Sequence, residues 1–313
     1  MLEMESNVGE RPDRVCTVIE FGDNGMKTLL NKSTSVVALS VVALATSACT
    51  MSASADSNNT SMMGGNIDMT FDQDNDVSLM GGNMDLDGRV GGDVSLIGGD
   101  IEAHLDIGGD LSLVGGDVEF RGSAGEASIA GGDINWNGNT DRDLSVAGGD
   151  IEVTGRIGGE LSVAGGDLEL AESLFVEGDA SFAGGDVEFD GQVNGVLSAA
   201  ANQMRIGGIA NGRVELAAEP SQNSWSWRIG SSDDGGRGGN TNGLLEISGR
   251  LEQGGAVCAH RVAILRGADI RGPLHVWSDE EIDIDSRAST GEIIREDRAG
   301  RDCDDIFRDH DRA

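Results

Sequence analysis

Apolar and polar residues alternate through the middle of the chain, in short runs that never settle into a helical spacing. Val94-Ser95-Leu96, Leu111-Ser112-Leu113, Leu144-Ser145-Val146 and Leu161-Ser162-Val163 read apolar–Ser–apolar. Ile101-Glu102-Ala103, Val118-Glu119-Phe120, Ile151-Glu152-Val153 and Leu168-Glu169-Leu170 read apolar–acidic–apolar. A period of two sends successive side chains to opposite faces, so these runs predict short strands with one face inward. Isolated apolar residues such as Val90, Ile107, Ile157 and Val193 mark a third side.

The runs are punctuated by a step of two small residues and an acid or amide. It begins as Gly64-Gly65-Asn66 and Gly81-Gly82-Asn83 and becomes Gly-Gly-Asp, ending in Asp100, Asp117, Asp133, Asp150, Asp167 and Asp186. It then degrades into Ala200-Ala201-Asn202 and Ala217-Ala218-Glu219. Successive steps lie 16 to 19 residues apart, most of them 17. Such a unit is too short for two packed helices or for a four-stranded propeller blade. What remains is an all-β fold, a single-stranded parallel β-helix in which each unit is one coil and equivalent residues stack at about 4.8 Å. The spacing suits the right-handed kind better than the left-handed kind with its strict six-residue period. Alternation returns at Leu245-Glu246-Ile247, Val262-Ala263-Ile264 and Leu274-His275-Val276. About 10–12 coils are therefore expected.

These patterns divide the chain. Residues 1–25 look unlike the rest of the chain and read as an over-extended leader before a true start at Met26. Residues 26–48 have the order of a signal peptide: basic Lys27 and Lys32, an apolar run from Val36 to Ala45, then small residues. That run is too short to cross a bilayer, which needs about 20 apolar residues. Residues 49–63 read as a polar tether, 64–219 as the repeats, and 220–243 as an inserted loop. Residues 244–285 read as further coils and 286–313 as a charged tail or cap.

Composition sharpens the picture. Gly is 49 of 313 residues and Pro only 3, which fits neither collagen nor a Pro-rich linker. Lys and Arg number 22 against 55 acids, a formal charge of −33 that makes nucleic acid a poor partner. Residues 60–200 alone carry 28 acids and 4 Arg. Stacked carboxylates of neighbouring coils repel by about 0.9 kcal/mol per pair at water's dielectric. A cation ladder on Asp100, Asp117, Asp133, Asp150, Asp167 and Asp186, with Ca2+ as the natural ion, would relieve this. The alternative is that these residues suit tight turns and bond their own backbone. The nine-residue GGxGxD calcium repeat is missing.

The remaining chemistry is sparse. Cys258 and Cys303 form an even pair in an exported chain, which favours a disulfide. The alternative is a zinc site made with His260 and His275, though the spacing is not that of a zinc finger. Trp225 and Trp227 point the same way if they lie on a strand, and with Arg228 they make a candidate platform for a glycan or an envelope protein. Catalytic motifs such as GxSxG, HExxH and a P-loop are missing, and corners of two or three residues leave little room for a cleft. The expectation is a protein that is not an enzyme.

Two resemblances extend this reading. Thr46-Ser47-Ala48-Cys49 resembles a bacterial lipobox, with Thr46 where Leu is usual. It implies a lipid, palmitate included, on Cys49, and Thr50 in place of an Asp after that cysteine implies the outer membrane. An ordinary cut after Ala53-Ser54-Ala55 is the rival. The tandem stretches GGDLSLVGGDVEF and LSVAGGDLEL resemble the short-coil β-helices of the bactofilin (polymer-forming) group and of adhesin-like exported proteins. That likeness implies homo-assembly, which the export signal and the charge put in question. The expectation is an envelope-anchored structural or surface-interaction lipoprotein on an acidic rod. The alternative is a module binding glycan or divalent cations.

Overall fold

The computed structural model describes residues 50–54, 59–219 and 243–310. It is an all-β parallel β-solenoid of about 13 turns, with about 17 residues per turn. Strands fall into two sheets, one of 20 and one of 13, and the second takes one strand from each turn. Every pairing is parallel and in register. Ser95 lies beside Ser112, Ser145 beside Ser162, and Asp133 beside Asp150.

One turn shows how the sequence makes the coil. The strand Asp100–Ile107 buries Ile101, Ala103, Leu105 and Ile107 and turns Asp100, Glu102 and Asp106 to solvent. A corner comes next, then Leu111–Val114, which buries Leu111 and Leu113. The inward residues from Ile67 to Val276 merge into one continuous, mostly aliphatic core. From Asp150 onward the long strand splits, as into Asp150–Thr154 and Arg156–Ile157. The isolated apolar positions thus end an unbroken strand early in the rod (Val90, Ile107) and sit on a separate third side later (Ile157, Val193).

Glycine is required at two kinds of place. At Gly98 a Cβ would lie 2.5 Å from Cε of Met84 and 3.2 Å from Cγ1 of Ile101, so the corner is small because core side chains fill it. At Gly122 the strand bends at φ +137, and a Cβ there would collide with the carbonyl oxygen of Leu105.

The sequence reading needs correcting at both ends. Residues 49–63, read as a tether, include the strands Thr50–Ser54 and Thr60–Met63, which pair with Asn66–Thr70 and Val77–Met80. The solenoid also runs past 285, through Ser289–Thr290 and Ile293–Asp297. Its last strand carries Arg295, Glu296 and Asp297, charges that blunt an open sheet edge. An α-helix, Cys303–His310, then lies on the outer face of the 13-stranded sheet.

One part of the core is aromatic. Trp136 is fully buried and stacks on Phe120 with ring centroids 4.5 Å apart. Its indole N–H donates to the Gly138 carbonyl at 3.2 Å. Trp136→Ala is expected to cost about 3–5 kcal/mol in chemical denaturation. The outward-facing Ser145→Ala should stay within about 0.5 kcal/mol. Equal effects of the two substitutions would contradict this inside–outside assignment.

Candidate functional site, an acidic groove along the rod

The first three residues after each Gly-Gly corner stack into a groove. Its volume is about 1070 Å3, and it runs from Asn66 to Glu246. Ten turns line it, a length of about 43 Å at 4.8 Å per turn. One wall is the column Asp100, Asp117, Asp133, Asp150, Asp167 and Asp186. The other includes Asp85, Glu102, Glu119, Glu152, Glu169 and Glu188. Residues i and i+2 of a strand point the same way, so both columns face out. The inward-pointing residues between them, Ile101 to Val187, hold the floor rigid through the core.

The two walls differ in counter-charge. Glu119 is paired with Arg121 at 2.6 Å, Glu188 is paired with Arg205, and Glu152 accepts a hydrogen bond from Asn135 at 3.0 Å. His104 sits half-exposed between Asp87 at 3.3 Å and Glu102 at 3.8 Å. The six Asp side chains of the first wall make no ion pair and no hydrogen bond among the described residues. No three His, Cys, Asp or Glu side chains converge closely enough to hold a metal ion there. The groove is therefore a continuous field of negative charge without a preformed chelating cage among the described residues.

A second acidic column has a different task. At the opposite corner Asp76 accepts the backbone N–H of Asp93 at 3.0 Å, and Asp93 accepts that of Asp110 at 2.9 Å. Asp143 does the same for Glu160 at 2.7 Å, and Asp179 for Val196 at 2.7 Å. Each carboxylate thus satisfies an N–H of the next turn, where the corner interrupts the strand ladder. The local backbone bonding weighed for Asp100 to Asp186 is not made by those side chains; backbone bonding belongs to this second column and reaches one coil further on.

The other candidate residues fall in three places. Cys49, Trp225, Trp227 and Arg228 lie outside the described residues. The described solenoid breaks off after Glu219 and resumes at Gly243 with its register kept, since Gln203 pairs with Leu244. Cys258 and Cys303 are joined in a disulfide with Cα atoms 5.6 Å apart. That excludes both as thiolate ligands, so the zinc alternative fails. His260 instead contacts Asp279 at 2.9 Å, while His275 stacks beside Trp277 and His310.

The disulfide expected from the sequence pins the C-terminal helix, but sequence reasoning missed the side-chain contacts that complete the clamp. Ile306 and Phe307 cover Ala256, Cys258 and Trp277 on the outer sheet face. The nearly buried Arg298 guanidinium reaches Glu219 at 3.2 Å and Asp279 at 3.7 Å. Nearby, the Arg261 hydrogen bond holds the exposed Glu280 below the usual carboxylate range, and Arg287 does the same for Asp285.

Cys303→Ser should lower stability by about 2–4 kcal/mol, the range for such a cross-link. Amide exchange should then quicken in the helix while the groove strands stay protected. Uniform loss of protection along the rod would contradict a local clamp.

No family model, curated protein or solved structure matches the chain.

Proposed function

We propose that the chain is a non-enzymatic rod of a bacterial cell envelope, tethered by a lipid on Cys49. Its acidic groove is the interaction surface and takes cations, either a file of divalent ions or an extended cationic partner. The observation that carries this reading is the unpaired Asp wall, which runs through consecutive turns opposite a second carboxylate column. Carboxylates stacked at about 4.8 Å repel one another, and a cation in the groove meets several at once. Field lines from the two walls add within the concavity, which raises the local cation concentration.

The envelope assignment draws support from the basic start, the short apolar run and the small residues before Cys49. The bactofilin likeness of the repeat fits a structural rod. Among the described residues no helix is long and apolar enough to cross a membrane. A lipid would supply the anchor.

Two experiments check the reading. In the first, thermal unfolding is compared in EDTA, in millimolar calcium and in spermine. A cation at a hundredfold excess over its Kd adds about 2.7 kcal/mol, which shifts the midpoint by several degrees. Replacing Asp117, Asp133, Asp150 and Asp167 with Asn should remove most of that gain. Equal midpoints in EDTA and in both cations, or an equal gain in the variant, would sink the groove. In the second, cells expressing the chain are fed labelled palmitate. The protein should take up label, and Cys49→Ser should take up none; an unlabelled wild type would remove the anchor.

A further inference from the structure

The outer face of the 13-stranded sheet adjoins the groove across the Gly-Gly corners, as where Val94–Ile97 leads through Gly98-Gly99 into Asp100. Its first nine strands, from Thr60–Met63 to Leu197–Ala201, contain no charged residue. On a chain with a formal charge of −33 such a stretch needs an explanation. Two columns point outward: serines from Ser61 to Ser198, and an apolar column from Met63 to Ala200. The described chain leaves four large apolar side chains exposed, and three stand in this one column: Met63 at 56%, Met80 at 38% and Ile97 at 45%. The face ends at Glu215, just where the outer surface passes under the C-terminal helix.

The apolar column is graded. It runs Met63, Met80, Ile97 and Val114, and then continues as alanine from Ala130 to Ala200. Large side chains stand at one end and small ones at the other. We infer that this face pairs with the same face of a second copy in antiparallel orientation, about a twofold axis through Ala130. The axis lies in the interface along the strands. That operation puts serine column on serine column and apolar column on apolar column, with the order reversed. Met63 then meets Ala200, Met80 meets Ala183, Ile97 meets Ala164 and Val114 meets Ala147. Each pair joins a large residue to a small one, so two sheets can keep one spacing of about 10 Å along their length. A parallel pairing about the rod axis would set serine against the apolar column and would waste the gradient.

Three further points select a second copy as the occupant. A twofold interface must be self-complementary, and this gradient is. The ladders of both copies share one repeat of about 4.8 Å, so their ridges stay in step. The groove and the corner that holds Asp76 and Asp93 carry acid columns, which would repel a copy of the same chain. Nine turns of a face roughly 14 Å wide bury about 1,000 Å2 in total, the low end of specific interfaces, so the dimer is reversible. The acid corners Asp93 and Asp110 border the face on its serine side and the groove acids Asp100 and Asp117 on its apolar side, so the dimer strengthens as salt screens them. Cation binding in the groove weakens with salt, and this inference does not rest on it.

The test is sedimentation velocity on the full chain carrying Cys49→Ala, so that no lipid contributes, across concentration and at low and high salt. The expected result is a monomer–dimer equilibrium that tightens with salt and disappears in Ala164→Arg. Ala183→Met sets Met against Met and should weaken the dimer about tenfold or more. Adding Met80→Ala to it should restore the affinity. A short bismaleimide should link Ala130→Cys, which lies on the axis, into a covalent dimer and leave Met80→Cys unlinked. A monomer under all conditions would overturn the inference. So would a dimer indifferent to Ala164→Arg, equal cross-linking of the two cysteine variants, or end-to-end filaments in its place.

Discussion

In-register parallel pairing makes each turn repeat the last, and every other feature of the molecule answers to it. Backbone hydrogen bonds between turns fix residue i beside its equivalent one coil on, at about 4.8 Å. Like therefore stacks on like. For inward positions this is wholly favourable, because aliphatic columns such as Leu96, Leu113, Ile129 and Val146 pack into one core. For carboxylates it is costly, and the chain meets that cost in two ways. The corner acids Asp76, Asp93, Asp143 and Asp179 each accept a backbone N–H from the next turn. The groove acids from Asp100 to Asp186 have no such partner among the described residues. One column holds the coil together, and the other is left as exposed field.

The same rule explains where the fold departs from regularity. The largest rings are admitted where a neighbour yields space: Phe120 and Trp136 stack beside Gly122 and Gly138. Strand register survives between Glu219 and Gly243, since Gln203 still pairs with Leu244. At the far end the repeat cannot continue its own stacking. The chain closes there with a charged last strand and a helix fastened by Cys258–Cys303 and by Arg298.

Much of this was legible in the sequence, because a short repeat writes its geometry many times over. The two alternations, the Gly-Gly corners and the stacking of the acids into a column all follow from the 17-residue spacing, whereas the absence of partners for that column is seen only in the structure. The first turn was not legible. Thr50-Met51-Ser52-Ala53-Ser54 is small and polar, lacks a Gly-Gly step before it, and reads as tether until its pairing with Asn66–Thr70 is seen. The backbone bonding of Asp76, Asp93, Asp143 and Asp179 was not legible either, because contact between residues 17 apart exists only once coils stack. The groove was hidden for the same reason: alternation says which side chains face out, and concavity belongs to the shape of the whole turn. The helix clamp rests on contacts such as Cys303 with Glu219, 84 residues apart, which no local pattern carries.

The division of labour between the two acid columns is the centre of this account, and anomalous diffraction from crystals soaked in a lanthanide salt tests it most directly. The account predicts peaks in a line between the Asp100–Asp186 column and the Glu102–Glu188 column, repeating with the turn, and none at the corner acids. Peaks clustered on Asp76, Asp93 and Asp143, with an empty groove, would contradict it.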